Sequence, residues 1–199
     1  MWSIHRDIDK LGISVGYLYD QIGSGLIFRA FEERPLLIDN ALYGVRLEYR
    51  LNDSWRIKGF TGRQKQQFDT YQSVIRGLTI DGFLSGGNDE TPWTMAPGIG
   101  IVARTLDDPS MNNLVATLNT YPAEEAFVPK YNAYAFSAFN TLSKGRFSWY
   151  AETAFKSRDV INDPFAVAVI AGDTLQGTRY RNRTGSILYT TLSYAAPGF

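Results

Sequence analysis

Tyr43-Gly44-Val45-Arg46-Leu47-Glu48-Tyr49-Arg50 alternates without a break. Tyr43, Val45, Leu47 and Tyr49 fall on one side, and Gly44, Arg46, Glu48 and Arg50 on the other. Successive side chains of a strand point to opposite faces, so this octapeptide predicts a β-strand with one apolar and one charged face. The same period runs outward from it. Segment 11–19 sets Leu11, Ile13, Val15, Tyr17 and Tyr19 against Gly12, Ser14 and Gly16, and 147–156 sets Phe147, Trp149, Ala151 and Phe155 against Ser148, Tyr150, Glu152 and Lys156. Segment 78–84 sets Leu78, Ile80 and Leu84 against Thr79, Asp81 and Phe83, and 186–194 follows more weakly. Segments 24–31, 55–63, 98–105 and 131–140 read as strands from their β-branched and aromatic content between turn signals. No stretch keeps a helical apolar stripe for three turns, and 111–118 fits one helical turn or a short strand equally well.

The connections add direction. Leu51-Asn52-Asp53-Ser54 and Leu142-Ser143-Lys144-Gly145 are tight turns, and Asp20-Gln21-Ile22-Gly23 is read as a third. Long polar segments occupy 64–74, 106–130 and 157–183. With nine strands, the tight turns share one rim of the sheet and the long segments the other. The expected fold is therefore all-β, an up-and-down antiparallel sheet of about nine long strands.

Composition narrows the function classes. The 199 residues carry 20 Lys+Arg and 20 Asp+Glu, a formal net charge of zero, so there is no electrostatic footprint for nucleic acid. Cysteine is absent and His5 is the lone histidine, which removes thiolate chemistry, Cys-ligated metals and His-pair metal motifs. The longest apolar run, Phe165 to Ala171, is far short of the roughly 20 residues of a membrane-spanning helix. No cofactor motif is present: Gly23-Ser24-Gly25 is followed by neither lysine nor helix, so it is no phosphate loop, and it fits a close backbone approach or a bulge instead.

Two settings suit a sheet with one apolar face. A soluble sandwich buries that face against a second sheet. An outer-membrane barrel turns it to lipid and its polar face to a lumen. Strands of about 9 to 11 residues suit a tilted crossing of the hydrocarbon, whereas soluble strands more often run five or six. Aromatics near strand ends, such as Tyr43, Tyr49, Trp55 and Trp149, suit the membrane–water interface. Gly, Ser and charges of both signs on the other face suit a crowded lumen. Part of a transmembrane β-barrel is the favoured reading, in the cell outer membrane, with outer-membrane lipid and other outer-membrane proteins as partners. The alternative is a soluble β-domain that binds carbohydrate through the loop aromatics Trp93, Tyr121, Phe127 and Tyr131.

Residues 17–46 also carry a resemblance. Gln21-Ile22-Gly23-Ser24-Gly25-Leu26, then Glu32-Glu33-Arg34, then Ile38-Asp39-Asn40-Ala41-Leu42-Tyr43-Gly44-Val45-Arg46, resemble a family of Bacteroidota outer-membrane β-barrel proteins known only as a domain of unknown function. Tyr150 to Asp159 and Ser193 to Phe199 resemble two further segments of that family. The resemblance implies a single outer-membrane barrel domain over 1–199, as a fragment lacking a signal peptide and C-terminal strands. It implies no activity.

The candidate site is electrostatic. Glu32, Glu33 and Asp39 lie among Arg29, Arg34 and Arg46. Paired carboxylates serve glycosidases as acid and nucleophile, but a neighbouring arginine lowers a carboxyl pKa and unfits it as an acid. The expectation is a non-catalytic ion-pair network in the lumen or at a strand end, made of Arg29, Glu32, Glu33, Arg34, Asp39, Arg46, Glu48, Glu152 and Lys156, with no metal and no cofactor. Arg46, Glu48, Arg50, Glu152 and Lys156 should share the inner face, opposite Tyr43, Val45, Leu47, Phe147 and Trp149. The reason is cost, since an Arg or Lys facing mid-membrane lipid costs roughly 2–4 kcal/mol; Arg56 and Lys58, across the tight turn at 51–54, are the expected partners of Glu48.

Overall fold

The computed structural model describes residues 2–66, 69–88, 92–123, 125–170, 173–176 and 179–195. Residues 67–68 and Pro197, Gly198 and Phe199 lie outside that set. Nine strands form one antiparallel sheet in which neighbours in sequence are neighbours in space. They are β1 (Ser3–Ile8), β2 (Leu11–Leu18), β3 (Leu42–Arg50), β4 (Trp55–Gln66), β5 (Asp69–Gly82), β6 (Trp93–Thr105), β7 (Asn132–Lys144), β8 (Phe147–Asp163) and β9 (Arg179–Tyr194). A short strand, Leu84–Gly86, pairs with the start of β6. Helix α1 (Asp108–Leu118) sits between β6 and β7. The meander follows from the tight turns, since a short connection leaves a strand no neighbour but the one just made.

Two parallel rows show how the alternation is used. Ile8, Leu11, Tyr49, Ile57, Ile80, Ile99, Ala138, Thr153 and Leu188 pair in succession across all nine strands. One residue along, Asp7, Gly12, Glu48, Lys58, Thr79, Gly100, Ser137, Ala154 and Ile187 form the matching row on the other face. The first row is apolar and lies open: Ile99 is 57% exposed and Leu188 74%. The second is mostly polar or small and its centre is covered: Thr79 is 2% exposed and Lys58 7%.

The cover is the chain between β2 and β3. Residues 19–41 fold over the polar face as two small hairpins, Asp20–Gln21 with Arg29–Ala30 and Glu32–Glu33 with Ile38–Asp39. Leu18, Ile22, Phe28, Ala30, Leu42, Phe60 and Val102 form the core between this segment and the sheet, and the Phe28 and Phe60 rings lie 4.5 Å apart. Asp20 reaches Arg46 on β3, while Ser24, four residues later, reaches Glu152 on β8. Side chains stand roughly perpendicular to a sheet. In a flat sheet those strands would lie five spacings, about 24 Å, apart, whereas four residues span at most about 14 Å. The sheet therefore curls around the segment, with the polar face inside the curve. Among the described residues β1 and β9 share no pairing, so the curl is not closed.

Several expectations change. Segment 24–31 is not a spanning strand; it is part of the covering segment, and β1 supplies the ninth strand instead. Asp20-Gln21-Ile22-Gly23 is not a tight turn on the short rim but the start of a 23-residue excursion on the opposite one, 19–41. The stretch 64–74 is no long loop: β4 runs to Gln66 and β5 begins at Asp69, paired with it, because the strands continue past the apolar band where both faces are polar. The ambiguous 111–118 is helical. Asp107 caps α1 by accepting from the Ser110 N–H at 3.2 Å, Pro109 fits the first turn, and Met111, Leu114 and Leu118 make its buried stripe. The rim asymmetry holds only in part. Connections 9–10, 51–54 and 145–146 are tight on one rim, which also carries the ten-residue 83–92; 19–41, 106–131 and 164–178 are long on the other, where β4 and β5 follow each other closely.

Candidate functional site

The covering segment is held to the sheet by three polar attachments, the first two on the inner face and the third at the rim. The first is at Lys58. Inner-face alternation puts this ammonium under the segment, where its Nζ donates to Asp20 Oδ1 at 2.5 Å and to the Gln21 carbonyl at 3.3 Å. Asp20 Oδ2 takes Arg46 at 3.4 Å, and Arg46 also donates to Ser14 Oγ at 3.2 Å. The Lys58 and Asp20 side chains are only 9% and 12% exposed, so each is the other's substitute for water.

The second attachment is Glu152, 1% exposed on β8. Its Oε2 accepts from the Ser24 N–H at 2.8 Å, the Ser24 hydroxyl at 2.5 Å and the Tyr150 hydroxyl at 2.6 Å. Gly23 makes room for it: at φ +56 the backbone is left-handed, and a Cβ there would sit 2.5 Å from Glu152 Oε1. Close by, Ile22 drops onto Gly100, where a Cβ would meet Ile22 Cγ2 at 2.5 Å. The reading of Gly23-Ser24-Gly25 as a place of close approach thus holds, in a turn of the covering segment rather than in a strand.

The third attachment closes the segment's end. Lys65 on β4 pairs with Asp39 Oδ2, while Asp39 Oδ1 accepts from the Tyr19 hydroxyl and the Ala41 N–H, each at 3.3 Å. Burial opposes ionisation of Asp39, but the Lys65 hydrogen bond, the Ala41 N–H and the Lys65 charge outweigh it and hold the carboxyl below its usual range. Burial, then the charges of Asp39 and Glu32, push the Tyr19 phenol up to about 12.

The nine candidate residues thus do not form one network. Arg46, Asp39 and Glu152 join the three attachments separately. Glu48 pairs with Arg56 at 3.4 Å, as expected, and Arg56 also holds Asp81 at 2.7 Å. Lys58 is not a partner of Glu48, because Asp20 takes it. Lys156 shares Asp159 with Arg104. Glu32 and Arg34 pair at 3.1 Å on the exposed hairpin, where Glu33 is also exposed, and Arg29 lies over the Phe31 ring. The residues missed were Asp20, Ser24 and Lys65, and Lys58 was expected with the wrong partner; the partners of these four lie 26 to 128 positions away. The inner-face parity of Lys58 was the only available signal.

The face assignment holds: Arg46, Glu48, Arg50, Glu152 and Lys156 share the covered side and Tyr43, Val45, Leu47, Phe147 and Trp149 the open one, by strand parity and pairing. Of the loop aromatics, Tyr121 accepts the Tyr180 N–H and lies under Arg179, and Tyr131 donates to Asp108. Trp93 opens β6 and packs against Gly86.

No curated protein and no solved structure matches the chain. A family model does match, across residues 1–199, and by it the chain belongs to the Family of unknown function (DUF6029).

Proposed function

We propose that this chain forms the wall of an outer-membrane β-barrel, with residues 19–41 as an internal plug, in a structural or transport role without catalysis of its own. One observation carries the reading: the covered face holds most of the sheet's charges, and the open face is apolar through its central rows, with Arg63 and Arg76 towards the long-loop rim and Arg6 on the edge strand. A protein dissolved in water gains stability by the reverse arrangement. Val45 and Leu47 on β3 and Leu78, Ile99, Phe136 and Phe155 on β5 to β8 are each between about one-third and three-fifths exposed. Contiguous apolar surface of that extent is costly in water and matches the lipid-facing band of a barrel. Trp55, Trp93 and Trp149 lie on the same face towards its short-turn rim, where aromatic side chains favour an interface. The resemblance to Bacteroidota outer-membrane proteins points the same way.

The test is a single-tryptophan variant keeping Trp149, reconstituted in bilayers with brominated acyl chains. The reading expects Trp149 emission to be quenched in a depth-dependent way, and the protein to stay with membranes through an alkaline carbonate wash. Release into the aqueous fraction with no quenching would refute it. The carbohydrate reading gains no support, because Tyr121 and Tyr131 are occupied within the chain.

A further inference from the structure

We propose that the inner face beside the long-loop rim holds a binding site for phosphate groups, built from Arg158, Arg179, Arg181 and Arg183. This goes beyond the barrel reading and does not depend on which solvent meets the apolar face. Arg179, Arg181 and Arg183 alternate along β9, so all three project to the inner face. Arg158 joins them through an irregularity in β8. The register steps from Lys156 opposite Gly185 to Asp159 opposite Arg183, which inserts one extra residue into β8. A bulge of this kind re-aims a side chain, and Arg158 lines the same cavity as the three β9 arginines. That cavity measures about 580 Å³, and Phe127 and Glu125 from the chain after α1 also line it.

Charge accounting shows what is missing. Glu125 takes Arg179 at 2.7 Å, and Asp163 takes Arg181 at 2.8 Å. Asp159, the carboxylate opposite Arg183, is held by Arg104 at 2.6 Å and by Lys156 at 3.5 Å. Among the described residues Arg158 and Arg183 have no acidic partner. Like charges on adjacent strands repel, and a concave wall concentrates their field. In a chain with equal numbers of acidic and basic residues, the local excess is a property of the fold. Guanidinium groups present paired donors in a fixed fork that matches phosphate oxygens. A phosphate bound between Arg158 and Arg183 would neutralise them, while Glu125 and Asp163 keep the flanking arginines in place. The phosphate can belong to a free anion or to a lipid headgroup.

The experiment uses the full chain in zwitterionic detergent. Inorganic pyrophosphate is titrated calorimetrically, and binding of phosphatidylglycerol is compared with binding of phosphatidylcholine, each added to the detergent as mixed micelles. The proposal expects saturable, salt-sensitive binding in at least one arm, and the arm that responds identifies the source. R158Q/R183Q should weaken it at least tenfold. Arg183→Lys, which keeps the charge and loses the fork, should weaken it severalfold and serves if the double variant fails to fold. Arg50→Gln, on the same face at the other rim, should change it less than twofold. Absence of saturable binding in both arms, or equal loss with Arg50→Gln, would overturn the proposal.

Discussion

Replacing Asp20 by alanine should loosen the covering segment by about 3–5 kcal/mol, the usual cost of leaving one member of a buried ion pair without its partner. Lys58 is the member left behind. Its side chain is 9% exposed, and without Asp20 it keeps only the Gln21 carbonyl at 3.3 Å. Every 1.4 kcal/mol is tenfold in an equilibrium, so opening of 19–41 should become roughly a hundredfold to a few thousandfold more frequent. Hydrogen exchange at Ile22, Gly25 and Asn40 reads this directly, since their N–H groups donate within the segment. Lys58→Met supplies the control. It leaves Asp20 with Arg46 at 3.4 Å and replaces a buried charge by an apolar chain of similar length, so it should cost less than D20A. The double variant D20A/K58M should recover a large part of the loss, because no buried charge is then stranded. If D20A/K58M exchanges as fast as D20A alone, the stranded ammonium is not what destabilises the segment and the argument fails.

Three other outcomes follow from the same structure. Gly100→Val places methyl groups where Ile22 already sits and should cost about 1–3 kcal/mol by overpacking, whereas Gly185→Ala, whose nearest neighbour is Lys156 Cβ at 4.0 Å, should be close to neutral in denaturant unfolding. Leu47→Arg, on the apolar face, should lower stability in liposomes by about 2–4 kcal/mol if that face meets lipid; a loss below about 1 kcal/mol would count against the barrel reading. Attachment of the segment at Asp39 should also depend on pH at both extremes. Asp39 has a lowered pKa, so its contribution is present above the ordinary carboxylate range and fades as pH falls through the folded value. Tyr19 has a raised one, so its contribution is present below about 10 and fades as pH rises towards about 12. Exchange protection of 19–41 should be flat near neutrality, with an alkaline limb that Tyr19→Phe removes.

The strands that carry the fold were legible where one face is apolar and the other polar. Segment 43–50 alternates cleanly because β3 has the open face on one side and the covering segment on the other. Residues 24–31 misled for a physical reason: Ile27, Phe28 and Ala30 are apolar because they pack onto the inner face, and burial in a covering loop leaves the same composition as burial in a strand. β1 hid because its outer row, Ile4, Arg6 and Ile8, mixes charge with apolar residues at a sheet edge. The ends of β4 and β5 hid because both their faces are polar. At the site, the cluster Glu32, Glu33 and Arg34 drew attention by proximity in sequence, yet it lies on an exposed hairpin. The attachments at Lys58 and Glu152 are set by strand register and a long excursion of chain, which local spacing does not encode.

The division of labour between the faces also bears on how such a sequence can drift. On the apolar side, Val45, Leu47, Leu78 and Ile99 meet no second layer among the described residues, so a side chain of different shape but similar hydropathy disturbs little there. On the inner side the fit is close: one added methyl at Gly23 meets the Glu152 carboxylate, and one at Gly100 meets Ile22. Relatives are therefore expected to interchange Ile, Leu, Val and Phe freely at alternate strand positions and to hold residue identity at the positions between. The alternation itself should outlast pairwise identity, as the most durable mark of descent in this fold.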